Sequence, residues 1–122
     1  LERRERLLKF LSELKDMKLL ALLKKGEELG KSPREELVEE LRELFLLLRD
    51  ILAKKIGFGG RLYHPDKEAE IFGLGGDFSR AEILSLLEIV RESKARLMYN
   101  VNLRLFAEGF LLKMHRALYS RS

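Results

Sequence analysis

Apolar residues recur at spacings of three and four along almost the whole chain, and the alternation of apolar with polar positions that marks a half-buried strand is missing. The pattern predicts an all-α protein, a compact bundle of about five to six helices. The first helix is expected over about residues 3–14, with Leu7, Leu8, Phe10, Leu11 and Leu14 facing inward. A second, leucine-rich helix follows from Met17 to about Leu29, with Asp16 placed to cap it and Gly30 to end it. Ser32-Pro33-Arg34-Glu35 announces a third. Ser32 can accept from a free backbone N–H, Pro33 suits the first turn, and Glu35 can return the bond. Leu37, Leu41, Leu44, Leu48 and Ile51 form its main stripe, widened by Val38, Phe45, Leu46, Leu47 and Leu52 until its middle is apolar nearly all round. A helix of that kind is central and buried. It is expected to stop after Lys54-Lys55, at Gly57.

Residues 57–78 carry Gly57, Gly59, Gly60, Gly73, Gly75 and Gly76 around a short possible helix at about 66–72. They read as a surface excursion anchored by Phe58, Tyr63, Ile71 and Phe78. Ser79-Arg80-Ala81-Glu82 repeats the capping-box pattern and opens a helix to about Met98. Asn100-Val101-Asn102 holds the only two asparagines of the chain and sits between two long helices. Asparagine tolerates left-handed backbone and caps helices, so a tight reversal with Asn102 as N-cap is expected, followed by a last helix to about Tyr119.

A length of 122 residues fits a single domain, 1–122, with one core. Hydrophobic residues make up 46% and charged residues 36%, which excludes intrinsic disorder. No apolar run exceeds five residues, as in Leu44 to Leu48, so neither a membrane span nor a signal peptide is expected. Cysteine is absent and histidine occurs only at His64 and His115, which leaves too few ligands for zinc and no thiol chemistry. Glutamine and threonine are absent too, and with the abundance of Lys and Glu this is a thermophile tendency.

The net charge of +4 is concentrated at the C-terminal end, where residues 91–122 carry seven basic groups (Arg91, Lys94, Arg96, Arg104, Lys113, Arg116 and Arg121) against Glu92 and Glu108. Such a cluster suits phosphates or an acidic partner, and a solvated helix face has the same composition.

Sequences that imitate catalytic motifs fail on spacing. Gly30-Lys31-Ser32 resembles the end of a phosphate-binding loop, but Lys25 stands where the first glycine is required and no strand precedes it. Gly73-Leu74-Gly75 begins a dinucleotide fingerprint whose last glycine would fall at Phe78, and a flexible turn is the expected reading. His64-Pro65-Asp66 offers a conceivable acid/base or metal pair and reads more simply as a turn before a short helix. Arg49-Asp50 interrupts the most apolar stretch, and an ion-paired or hydrogen-bonded structural role is expected. No nucleophile–base constellation emerges, so no catalytic, cofactor or metal site is assigned.

The last helix has two apolar faces. At 100° per residue, Phe106, Ala107, Phe110, Leu111, Met114, Ala117 and Leu118 lie within about 80° of Leu103, and this is the core face. Leu105, Leu112 and Tyr119 fall within about 20° of the opposite side. They are flanked by Arg104, Glu108, His115 and Arg116. A charge-rimmed second stripe suits a partner helix, so these three residues are expected at a subunit contact unless another helix of the same domain covers them.

Two blocks of residues resemble a known family. One is Leu46-Leu47-Leu48-Arg49-Asp50-Ile51-Leu52; the other runs from Asn100 to Met114, with Asn100, Asn102, Leu105, Glu108, Leu111 and Leu112 at matching positions. Tyr63-His64-Pro65-Asp66 is similar to the family's Asn-Pro-Asp turn, with His64 for asparagine. The family is the C-terminal collar domain of the bacterial DNA polymerase III clamp-loader delta-prime subunit, and the likeness covers most of residues 35–118. Departures are Leu103 where proline is frequent, Gly109 where alanine is usual, and Phe110 and Met114 for leucines.

The resemblance implies a clamp-loader collar-type fold and a cytoplasmic, non-catalytic part of the polymerase III assembly. Its partners would be other clamp-loader subunits, with sliding clamp and DNA reached only through a preceding AAA+ portion. The equivalent domain of the gamma/tau ATPase subunit shares that fold and is the nearest alternative. A basic nucleic-acid-binding module is the alternative from another class, although aromatic residues are scarcely interleaved with the C-terminal cations; a helical enzyme is the third.

Overall fold

The computed structural model describes residues 2–57 and 60–119. Among them every regular element is helical: α1 (Arg3–Glu13), α2 (Leu19–Leu29), α3 (Arg34–Lys55), α4 (Glu68–Asp77), α5 (Arg80–Arg96) and α6 (Leu103–Ala117), with single 3₁₀ turns at Leu14–Asp16 and Pro65–Lys67. None is long and apolar enough to cross a membrane.

The broad apolar girth of α3 decides the architecture. Leu37, Leu41, Leu44, Leu47, Leu48 and Ile51 are all buried along it. To cover them, α5, α4 and α1 pack around α3, while α6 packs on α5 and on α2. Each such side chain, fully buried, contributes about 1.5–3 kcal/mol relative to exposure, which outweighs anything a surface pair supplies. The chain order is not the packing order, because α2 leaves its neighbours α1 and α3 and lies chiefly against α6.

Local chemistry sets several helix ends. Ser79 forms a full capping box, its hydroxyl accepting from Glu82 N–H at 3.1 Å and the Glu82 carboxylate accepting from Ser79 N–H at 2.9 Å. Asn102 accepts from Leu105 N–H at 3.0 Å. Gly57, with φ of +79°, closes α3 in the left-handed region that favours glycine. At the far end of α5 the cap comes from another helix. The Arg34 guanidinium donates to the carbonyls of Leu97 and Tyr99, satisfying groups that a helix end leaves open.

Two expected caps are not formed. Ser32 makes no capping bond, because Pro33 itself is the extended residue before the helix and its carbonyl accepts from Glu36 and Leu37. With Pro33 itself extended at ψ 153°, the boundary falls one position later than expected and Ser32 stands ahead of the N-cap. Asp16 closes a 3₁₀ turn instead of capping α2, which starts later, after Lys18, with no side-chain bond.

The segment expected to wander is largely helical. α4 runs straight through Gly73, Gly75 and Gly76, so the turn expected at Gly73-Leu74-Gly75 is absent. Ile71, Leu74 and Phe78 bury against the core, and Lys55 Nζ donates to Gly75 O at 2.9 Å. Docking on α3 thus supplies what glycine's poor helix propensity lacks. Ile71 and Phe78 are anchors, but Tyr63 is 59% exposed and is not. Phe58, the fourth expected anchor, lies outside the described residues. No non-glycine among the described residues takes positive φ, so the Asn100-Val101-Asn102 reversal is made without left-handed backbone.

Candidate functional site

α6 presents two faces. Phe106, Ala107, Phe110, Leu111, Met114 and the following Leu118 are buried, and Leu103 and Ala117 are half-buried beside them. On the opposite side Leu105 is 66% and Tyr119 54% exposed. Leu112, between them, is half-buried and packs against the core. The expected stripe is therefore open at its two ends and partly covered at its middle. Tyr119 leans on His115, ring centroids 4.7 Å apart, and Arg104 pairs with Glu108 at 3.2 Å along the rim.

The cover over the middle is α2. A Cβ at Gly26 would stand 2.9 Å from the Cα of Glu108, and one at Gly30 2.6 Å from the Cα of Arg104. Positions rising on α2 meet positions falling on α6, so the two helices are antiparallel. The same register carries Leu22, fully buried, to the level of Leu112. Two glycines one turn apart let the backbones touch, a device that no sequence motif considered above had identified. On the outer side of α2, Leu19 and Leu20 are 60% and 81% exposed.

A polar junction lies at the other end of α3. Asp50 is buried, and its carboxylate accepts from the backbone N–H groups of Tyr63 and His64, each at 2.8 Å. His64 Nδ1 lies 3.1 Å from the same Asp50 carboxylate and Nε2 2.5 Å from Glu43 Oε2. Both nitrogens of the buried ring thus face carboxylates. Two of the resembling blocks, Arg49-Asp50 and Tyr63-His64-Pro65-Asp66, are brought together by this junction. Its roles are structural: Asp50 terminates a loop, and Arg49 stays exposed in solvent.

Asp66 does not join His64. It pairs instead with Arg4 at 2.9 Å, and although desolvation pushes its carboxyl up, its own backbone N–H and Arg4 hold it below the usual range. Among the described residues no group of three or more His, Cys, Asp or Glu is arranged to hold a metal ion.

Two of the C-terminal cations are ion-paired within the chain. Arg91 pairs with Glu88 and Arg104 with Glu108, which neutralises two of them. Arg121 lies outside the described residues.

Between α1, α2, α3 and α6 lies a cavity of about 330 Å³. Leu41 and Leu44 of α3 and Phe106, Ala107 and Phe110 of α6 line its apolar interior. Charged side chains, Arg6, Lys9, Glu13, Lys25 and Glu40, also border it, all of them exposed or half-buried.

Comparison with protein-family models, curated proteins and solved structures finds no match to this chain.

Proposed function

We propose that this chain is a subunit-assembly domain of the clamp-loader collar type, delta-prime-like. In this reading its α6 meets neighbouring collar domains in the complex that loads the sliding clamp on primed DNA. The observation that carries the reading is the outward face of α6, where Leu105 and Tyr119 stand exposed on a helix whose opposite face is already spent on the core. Apolar side chains gain by burial, and a rim of charge fixes orientation without blocking it. The junction of Asp50 with His64 supports the resemblance, since it gives a shared physical reason for two separate blocks of matching residues. The chain contributes contacts and no chemistry of its own; clamp and DNA would be engaged by an AAA+ portion ahead of it.

The test is co-expression with the remaining clamp-loader subunits, followed by size-exclusion chromatography and native mass spectrometry. Wild-type chain should co-elute in the complex, and Leu105→Glu should drop out of it while its own unfolding midpoint stays within about 0.5 kcal/mol of wild type, the usual range for an exposed site. Leu112→Glu is the less clean variant, because Leu112 is half-buried under α2. Normal assembly of the Leu105→Glu chain would remove the proposed interface. Robust ATP turnover by the purified chain would overturn the non-catalytic reading.

A further inference from the structure

We propose that the cavity between α1, α2, α3 and α6 is a binding site for a small amphiphile with an apolar body and one anionic head, of the class of medium-chain carboxylates. Its volume of about 330 Å³ falls within the range of sites that enclose small ligands. It is too small for a partner helix, since a single turn about 5.4 Å long and 10–12 Å across occupies more than about 400 Å³.

The interior is apolar and shaped. Phe106 and Phe110 border it with parallel, stacked rings, planes 5° apart and centroids at 6.4 Å, and Leu41 and Leu44 line it from α3. Protein interiors are otherwise close-packed, and unfilled apolar volume costs stability in proportion to its size. The space arises where the α2–α6 pair meets the α1–α3 pair.

Charge at the mouth selects the head group. Glu40 is ion-paired: its Oε1 accepts from Arg6 at 2.8 Å, and its buried Oε2 lies 3.4 Å from Arg3 Nε without a hydrogen bond. Lys9 on α1 and Lys25 on α2 both border the cavity, and among the described residues neither forms a salt bridge. The Lys25 ammonium rests 5.6 Å from the centroid of Phe10, at the border between the charged mouth and the apolar interior. Among the described residues Glu13 is the one bordering carboxylate outside any ion pair, against two such cations, Lys9 and Lys25. A carboxylate head at this lysine-bearing mouth, with its chain along Phe106 and Phe110, matches both parts of the site.

Titration calorimetry of the full chain with decanoate and with decylamine, below their micelle concentrations, tests this. Decanoate should bind one-to-one, about tenfold more tightly than decylamine, which corresponds to roughly 1.4 kcal/mol. Double replacement Lys9→Glu with Lys25→Glu should reverse that order. Ala107→Phe, which fills the space from α6, should abolish binding of both. Methyl NMR of the wild type supplies a readout that needs no variant: shifts on adding decanoate should concentrate at Leu41, Leu44 and Leu111 and spare Leu105. The proposal is overturned by no saturable binding to the folded wild type, by shifts centred elsewhere, by unaltered binding in a folded Ala107→Phe chain, or by a carboxylate preference that survives the charge reversal.

Discussion

Asp50 Oδ2 lies 2.8 Å from the backbone nitrogen of His64 and 3.1 Å from its ring Nδ1, so one buried oxygen fixes both the main chain and the side chain of a residue on the far side of a loop. Among the described residues of the loop no other side chain accepts from its backbone N–H groups. Asp50→Ala should leave one buried and one part-buried N–H group without an acceptor and lower stability by about 2–4 kcal/mol. The neighbouring Arg49→Ala, at an exposed position, should stay within about 0.5 kcal/mol. Urea denaturation followed by circular dichroism separates the two, and equal losses would show that the junction does not hold the loop.

A second pair of variants distinguishes a real cap from an apparent one. Asn102→Ala removes the bond to Leu105 N–H and should cost about 0.5–2 kcal/mol. Ser32→Ala removes nothing from the start of α3 and should leave the unfolding midpoint in place. Ser32 and Ser79 carry the same capping-box signal, Ser-x-x-Glu, and Asn102 carries none of it. Only geometry tells the two serines apart.

Glycine replacements should have opposite signs within a single helix pair. At Gly30 an added methyl meets the Arg104 backbone at 2.6 Å, so Gly30→Ala should destabilise by roughly 1–3 kcal/mol. At Gly109, inside α6, an added methyl meets nothing within 4 Å. Gly109→Ala should therefore stabilise by about 0.5–1 kcal/mol through helix propensity alone. Thermal melts of the two variants against wild type give the answer, and a gain at Gly30 would mean that the helices do not approach as closely as described.

The capping box at the start of α5 confers a pH dependence. Partial burial pushes the Glu82 carboxyl up, but the Ser79 N–H and the Lys15 ammonium outweigh it and hold it below its ordinary value of 4.5. A carboxyl depressed in the folded state adds stability above its unfolded value, and that stability is lost as pH falls through the lower, folded value. Wild type should therefore exceed Glu82→Gln in melting temperature at pH 7, with the gap closing as the pH is taken well below 4.5. A gap of constant size down to the acid limit would show that the charge plays no part.

What could be read from the residues divides by the range of the interaction. Ser79 and Asn102 were legible because a cap is decided within four residues, and the two faces of α6 because helix rotation is arithmetic. The short helix expected at about 66–72 is legible, but its extension through Gly73, Gly75 and Gly76 is not, since that helicity comes with the burial of Ile71, Leu74 and Phe78 against the core. Asp50 was legible as a group in need of a partner, while its partners, Tyr63 N–H and His64, were not. Gly30 is legible as the end of α2. The close approach at Gly26 and Gly30 is not, because it depends on Arg104 and Glu108. The cavity is invisible for the same reason, being a property of how four helices fail to close.

The pairing of α2 with α6 has a consequence in time. The segments that meet at Gly26 and Glu108 are about 80 residues apart, so their contact closes one of the longest loops in the molecule and pays its entropy before any reward. At a synthesis rate of about 5–20 residues per second, α2 waits roughly 4–16 s for its partner to be made. Through that interval Leu22 and Leu29 have no α6 to cover them. A nascent chain of this sequence therefore carries an uncovered apolar helix until its last helix is synthesised, and premature termination before α6 leaves α2 bare for good.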